Sequence, residues 1–279
     1  MFQIYSRIFS KVIAAQAFAL VLIIAGIAPA AAQYSNRGGY QDYRSGRQSV
    51  PGVFDYYLLS LSWSPTYCAE QGDRGGGRDD EQCAPRSRPY AFVLHGLWPQ
   101  YQRGWPQDCR SPDNGYVPKP VARRMLDVMP SERLVFHEYR KHGTCSGLGV
   151  DGYFDLARQL YERVRIPQRF VGLKDQRMFV SPDEVIQDFV RANPGLRPDM
   201  VAVSCGGPGN RLKEVRICFD KGGEFRSCGP NENQRRLCEA SRMYVPPLRE
   251  GGFSQPRRDR DEPEGPPEEI APGPHERRL

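Results

Sequence analysis

Apolar positions crowd the start of the chain in one almost unbroken run at residues 12–27, with Arg7 and Lys11 before it and Ala30, Ala31 and Ala32 after it. A basic start, a short apolar stretch and small residues in that order form the pattern of a secretory signal, with cleavage expected before Gln33. The run falls short of the roughly 20 residues that a membrane span needs, and no later stretch approaches that length. Further on, residues 55–63 (DYYLLSLSW) and 91–98 (AFVLHGLW) are dense in aromatic and aliphatic side chains and predict two strands, the second of them buried. Helices are expected over 120–129, 132–141 and 153–165. Ser181-Pro182-Asp183-Glu184 reads as a helix start, with Ser as cap, Pro in the first turn and Glu three residues on. That helix should stop near Asn193, because Pro194 disfavours helical backbone just before it. Residues 200–204, 214–219 and 224–228 predict further strands. Strands and helices do not alternate regularly, so the expected class is α+β rather than a doubly wound sheet.

Polar positions dominate two segments. Residues 33–50 are rich in Gly, Arg, Gln and Ser, and the chain from 249 onward in Pro, Gly and mixed charge. Neither carries enough apolar surface to offset the entropy of ordering it. The expected organisation is a signal over 1–32, a disordered segment over 33–50, one domain over 51–248 and a disordered tail over 249–279.

Eight cysteines, all between Cys68 and Cys238, sharpen this outline. An even number in an exported chain predicts four disulfides, and no two are spaced as the C-x-x-C pairs of a zinc site. Eight cysteines allow 105 pairings, which spacing alone does not reduce. The formal charge is +6, and the tail from Arg249 holds six basic against eight acidic residues, so the positive charge belongs to the body. A basic body suits a polyanionic partner without identifying one.

Chemistry concentrates in two short segments, which hold three of the four histidines: His95-Gly96-Leu97-Trp98-Pro99, and His137-Glu138-Tyr139-Arg140-Lys141-His142-Gly143-Thr144-Cys145. If the second is helical, residues four apart share a face, which sets Glu138 beside His142 and His137 beside Lys141. A carboxylate beside an imidazole favours its protonated form, and a nearby lysine offers a fixed cation to an anionic centre. Gly143 would then end the helix and Cys145 pin that end. A zinc helix would place its histidines four apart; here they are five apart, about 140° around the helix, with Lys141 between them to repel a cation. No G-x-S-x-G elbow is present and the cysteines are expected to pair, so no protein nucleophile stands out. An acid/base pair without a protein nucleophile suits a substrate that brings its own, as RNA does at the 2′-hydroxyl.

The two histidine segments resemble the active-site segments of the ribonuclease T2 family, and the resemblance extends to Trp63-Ser64-Pro65, Cys68 and the C-terminal cysteines, over about residues 53–248. It implies a single disulfide-stabilised α+β domain, an antiparallel β-sheet with helices packed against it. It implies the pairs Cys68–Cys83, Cys109–Cys145, Cys205–Cys238 and Cys218–Cys228. It implies a metal-independent endoribonuclease that cleaves single-stranded RNA to 2′,3′-cyclic phosphates and then 3′-phosphates, with His95 and His142 as the acid/base pair. Glu138 and Lys141 would stabilise the phosphorane and His137 would hold the phosphate. Trp98 matches an aromatic that stacks on a base, and Trp105 lies near where members carry a base-contacting Tyr. Gln100 replaces an Asp that selects adenine in some members, so base preference stays open, and Tyr139 conservatively replaces the commoner Trp. No cofactor and no metal are expected; the partner is single-stranded RNA, and the mature chain is a secreted or periplasmic monomer. The alternative is a catalytically inactive RNA-binding relative, against which His95, Glu138, Lys141 and His142 are all present. A divalent-metal phosphoesterase would want an Asp/His ligand cluster, which is not evident.

Overall fold

The computed structural model describes residues 49–74, 81–84, 87–173 and 177–248. The expected signal, nearly all of the segment at 33–50 and the tail from 249 lie outside them.

Tyr56–Trp63 (β1) carries aromatic and aliphatic residues on both faces because both faces are covered. Tyr57, Leu59, Leu61 and Trp63 enter the main core with Phe92, Leu94 and Leu97 of Phe92–Gln100 (β2). Tyr56 and Leu58, on the other face, meet Cys218 in a second, smaller cluster edged by Trp98 and Cys228. This second face of the sheet carries the site.

Four further strands complete the sheet: Met178–Val180 (β3), Val201–Gly206 (β4), Arg211–Phe219 (β5) and Met243–Val245 (β6). The order is β2-β1-β5-β6-β3, with β4 also paired to β5. Every pairing is antiparallel except β5 with β6, which run parallel at Arg211 and Tyr244. Among the described residues the expected antiparallel pattern thus holds for every pairing but that single contact, which makes the sheet mixed. The chain between β5 and β6 is long enough to turn back twice, and it is tied to β4 by Cys205–Cys238.

The helices follow from their caps and stripes. Ser64–Asp73 (α1) was not anticipated; its sequence, SPTYCAEQGD, shows no apolar stripe. It starts on Pro65 directly after β1, and Cys68–Cys83 holds it. Lys119–Met125 (α2) is shorter than expected, since the chain turns at Leu126 ahead of Pro130. Glu132–Lys141 (α3) spans the expected residues, with the Ser131 hydroxyl accepting from the Leu134 amide. Gly149–Arg163 (α4) buries Tyr153, Phe154, Ala157 and Leu160 against the core. After the short Gln168–Val171 (α5), Pro182–Ala192 (α6) opens on a complete capping box between Ser181 and Glu184. Gln234–Leu237 (α7) lies just before Cys238. The expected strand at 224–228 is reduced to a single bridge between Phe219 and Phe225, because the Cys228 amide is drawn to the Asp199 carbonyl. No helix among the described residues is long and apolar enough to cross a membrane.

The cysteines pair as the resemblance implies. Cys109–Cys145 closes 36 residues and joins the end of the α3 region to the loop after β2. Changing both cysteines to serine should cost about 3–4 kcal/mol for a loop of that length. Denaturant melts of the double variant test this, and a stability within 1 kcal/mol of the parent would refute the tie.

Candidate active site

His95 owes its direction to a break in the sheet. The β1–β2 register passes from Ser60↔Gly96 to Leu61↔Leu94, which leaves His95 as the extra residue of a β-bulge. A bulge re-aims the side chain it carries. Its neighbour Leu94 enters the main core while the His95 ring turns to the second face, about a third exposed. There Nδ1 lies 2.6 Å from Glu214 Oε1 on β5, and Nε2 faces Glu138 Oε1 at 3.7 Å.

The other histidine stands where α3 ends. His142 is the residue after the last helical one, and its amide donates to the Glu138 carbonyl. The Asp108 amide donates to the Lys141 carbonyl, which fixes that end from the loop bearing Cys109. Gly143 answers a close approach: a Cβ there would lie 2.4 Å from the Tyr139 ring and 2.9 Å from Tyr153. His142 is buried, and its Nδ1 has no hydrogen-bond partner among the described residues. Nε2 is left as the nitrogen that can meet a substrate.

Between the two histidines stands Trp98. Its ring centroid is 5.3 Å from that of His95, edge-on, and 5.2 Å from that of His142. Its indole N–H donates to Glu138 Oε2 at 2.7 Å, and Arg216 lies over the ring at 5.4 Å. Glu138 is nearly fully buried. Its carboxylate is thus committed to Trp98 and to His95, which corrects the expectation that four-residue helical spacing would set it against His142. The helix ends before His142, so the shared-face rule no longer governs that side chain.

Charge separates the histidines. Burial works against a protonated His95, but the hydrogen bond and charge of Glu214, with the charge of Glu138, outweigh burial and the nearby Arg216 and raise its pKa above 6.5. Burial is the main reason that His142 falls to about 3, and the charges of Lys141, His95 and His137 add to it. Glu138 is raised by burial, against the pull of His95, Trp98, His137 and Lys141. Two imidazoles in one site therefore hold opposite protonation states over the range between, as an acid and a base require.

Lys141 and the exposed His137 stand near enough for their charges to act on both Glu138 and His142. Trp105 lies exposed on the loop after β2. That loop is held by Asn231, whose side chain bonds the Gly104 amide and carbonyl and Gln100 Oε1. Glu214 and Arg216 were missed at the sequence level. The available signal was a Glu and an Arg two apart, hence on one face, in a strand otherwise rich in aliphatic residues. Among the described residues, no group of three or more His, Cys, Asp or Glu is arranged to hold a metal ion.

The model of the Ribonuclease T2 family matches residues 54–228. A ribonuclease of Aeromonas hydrophila is 35% identical over 195 residues, covering 66% of this chain and 80% of its own. Ribonuclease I of Escherichia coli strain K12 is 28% identical over 202 residues, covering 60% of this chain and 75% of its own. Among solved structures, the RNase-related protein from Calystegia sepium has a TM-score of 0.55 at 21% identity, covering 70% of this chain and 98% of that one.

Proposed function

We propose that this chain, which belongs to the ribonuclease T2 family and is an endoribonuclease, cuts single-stranded RNA by turning the substrate's own 2′-hydroxyl on the adjacent phosphate. The observation that carries this reading is the opposite electrostatic setting of the two histidines: His95 between two carboxylates, His142 buried beside Lys141. Neutral His142 takes the 2′-hydroxyl proton at Nε2, and O2′ attacks phosphorus. The bond from phosphorus to O5′ breaks as protonated His95 gives its Nε2 proton to that oxygen. The products are a 2′,3′-cyclic phosphate and a free 5′-hydroxyl. Each histidine ends in the other's starting state, ready to hydrolyse the cyclic ester to a 3′-phosphate with water in the place of O5′.

Lys141 meets the charge that builds on the phosphorane, and Glu138 keeps His95 protonated until the leaving group needs the proton. His137, exposed at the rim, holds the ground-state phosphate. Base contact falls to Trp98 and Trp105. With acid and base both supplied by side chains, the reaction needs neither metal nor cofactor. Four disulfides and the pattern of the first 32 residues support a mature chain that is secreted or periplasmic, and it acts here as a monomer.

The test is product analysis in excess EDTA. RNA should be cut to 2′,3′-cyclic ends and later to 3′-phosphates, while DNA, lacking the nucleophile, stays intact. Cleavage of DNA or the appearance of 5′-phosphate ends would overturn the mechanism. Binding without turnover would instead identify an inactive relative.

A further inference from the structure

A carboxylate set among strands must be paired, or desolvating it costs more than its burial returns. Glu214 is such a group, with its side chain 13% exposed on the second face of the sheet. Its cross-strand neighbours are Ser62 on β1 and Ser204 on β4, neither of them charged. Its two oxygens are divided. Oε2 accepts from both Nε and a terminal nitrogen of Arg216, at 3.0 and 2.8 Å, two charge-assisted bonds that hold this one oxygen. Oε1 is left pointing at His95 Nδ1, 2.6 Å away.

The arrangement closes on itself. Arg216 also lies over Trp98, Trp98 donates to Glu138, and Glu138 faces the far nitrogen of His95. Two irregularities of the sheet bring the parts together. One is the bulge at His95. The other is a break in the β4–β5 register, from Ser204↔Glu214 to Cys205↔Leu212, which leaves Lys213 as the extra residue beside Glu214. A Glu–Arg pair that served the strand alone would need neither the bulge nor the alignment with Nδ1.

We infer that Glu214 is a positioning residue for the reaction, accepting the Nδ1 proton of His95 so that the ring presents Nε2–H to the leaving oxygen, with Arg216 holding Glu214 in place. The inference rests on His95 being the general acid. A carboxylate on the remote nitrogen does two things: it selects the ring orientation and tautomer, and it stabilises the imidazolium. The groups facing His95 are Glu214 and Arg216 from β5, Trp98 from its own strand, and Glu138, with Lys141, His137 and His142 beyond it, from the α3 end. Of these, Glu214 alone meets Nδ1. Its loss should therefore act on one limb of the pH profile.

The experiment is kcat/KM against pH on RNA for the parent, Glu214→Gln, Glu214→Asp and His95→Ala, with thermal melts alongside. Glu214→Gln should lower kcat/KM at neutral pH about 10–100-fold, less than removal of the imidazole itself. Its high-pH limb, set by loss of the His95 proton, should move to lower pH by about a unit or more. The low-pH limb, set by His142, should stay. Glu214→Asp keeps the charge and should bring the limb part of the way back. On a His95→Ala background, Glu214→Gln should add little. A merely structural role would lower the whole profile without moving one limb, and an unmoved limb overturns the inference. If Glu214→Gln does not fold, nitrogen NMR of His95 in the unaltered protein decides: a proton held on Nδ1 through the titration supports the pairing, and an unprotonated Nδ1 refutes it. Near-normal rates in His95→Ala would overturn the parent mechanism. An inactive His95→Ala with an unperturbed Glu214→Gln would overturn only the role of Glu214.

Discussion

Changing His95 or His142 to alanine should lower kcat by about 10²–10⁴-fold, with the protein still folded. Each change removes one proton-transfer group. The remaining charges, Lys141 foremost, still bind and polarise the phosphate, which sets the residual rate. The two changes should not add, because a single missing proton transfer already halts the concerted step. Folding should survive in both cases. The Nδ1 of His142 bonds nothing among the described residues, and Glu214 keeps Arg216 when His95 is gone. The parent should show a bell-shaped profile. On the acid side the rate falls as His142, depressed to about 3, takes up a proton. On the alkaline side it falls as His95, raised above its ordinary value, gives one up. His142→Ala should lose the acid limb and His95→Ala the alkaline limb. Stability follows the same groups with definite signs. Unfolded, His142 is protonated below about 6.5; folded, only near 3. Its contribution is thus present above the unfolded value and lost as pH falls through that window. Steady-state rates and melts across pH check both statements. A flat profile, or near-normal kcat in either variant, would end the two-histidine mechanism.

Gly96→Ala should be nearly as damaging, although glycine carries no chemistry. A Cβ at this position would lie 2.1 Å from Glu138 Oε2 and 2.4 Å from Trp98 Nε1, directly on their hydrogen bond. One of the two groups must move. Glu138 is nearly fully buried, and Trp98 is flanked by both histidine rings. A shift of this size at a proton donor's partner costs on the order of 10²-fold in rate. Leaving a buried carboxylate or indole N–H without its partner costs about 1–3 kcal/mol in stability. Measured together, kcat and melting of Gly96→Ala should both fall. A variant with parent-like kcat would show that the Glu138–Trp98 bond does not hold the site, and would weaken the case for Glu138 as the partner of His95.

The chemistry of the site was legible because it is written in local segments. All three histidines outside the tail, with Glu138, Lys141 and Trp98, fall in two runs of fewer than ten residues. Helix α3 matches the expected residues over its full length, and the serine that caps it and the glycine that follows it are near neighbours in sequence. The capping box at Ser181 and Glu184 was plain for the same reason. Helix α1, which has no stripe, was not legible; a disulfide and the turn after β1 hold it.

What the residues alone determined was which groups the proposed reaction draws on: two imidazoles, a carboxylate and a lysine on disulfide-braced elements, with no nucleophile among them. The proposal of His95 as the acid came only with the tertiary structure. Glu214 lies 119 residues from His95 and reaches it through strand pairing and a one-residue bulge. His142 is kept neutral by burial behind elements brought together from the rest of the chain. A pKa depends on what surrounds a group in space, and side-chain direction in a sheet reverses with a single residue of register. Neither quantity has a local signature, so the sequence shows which titratable groups are present and only the fold shows what surrounds each of them.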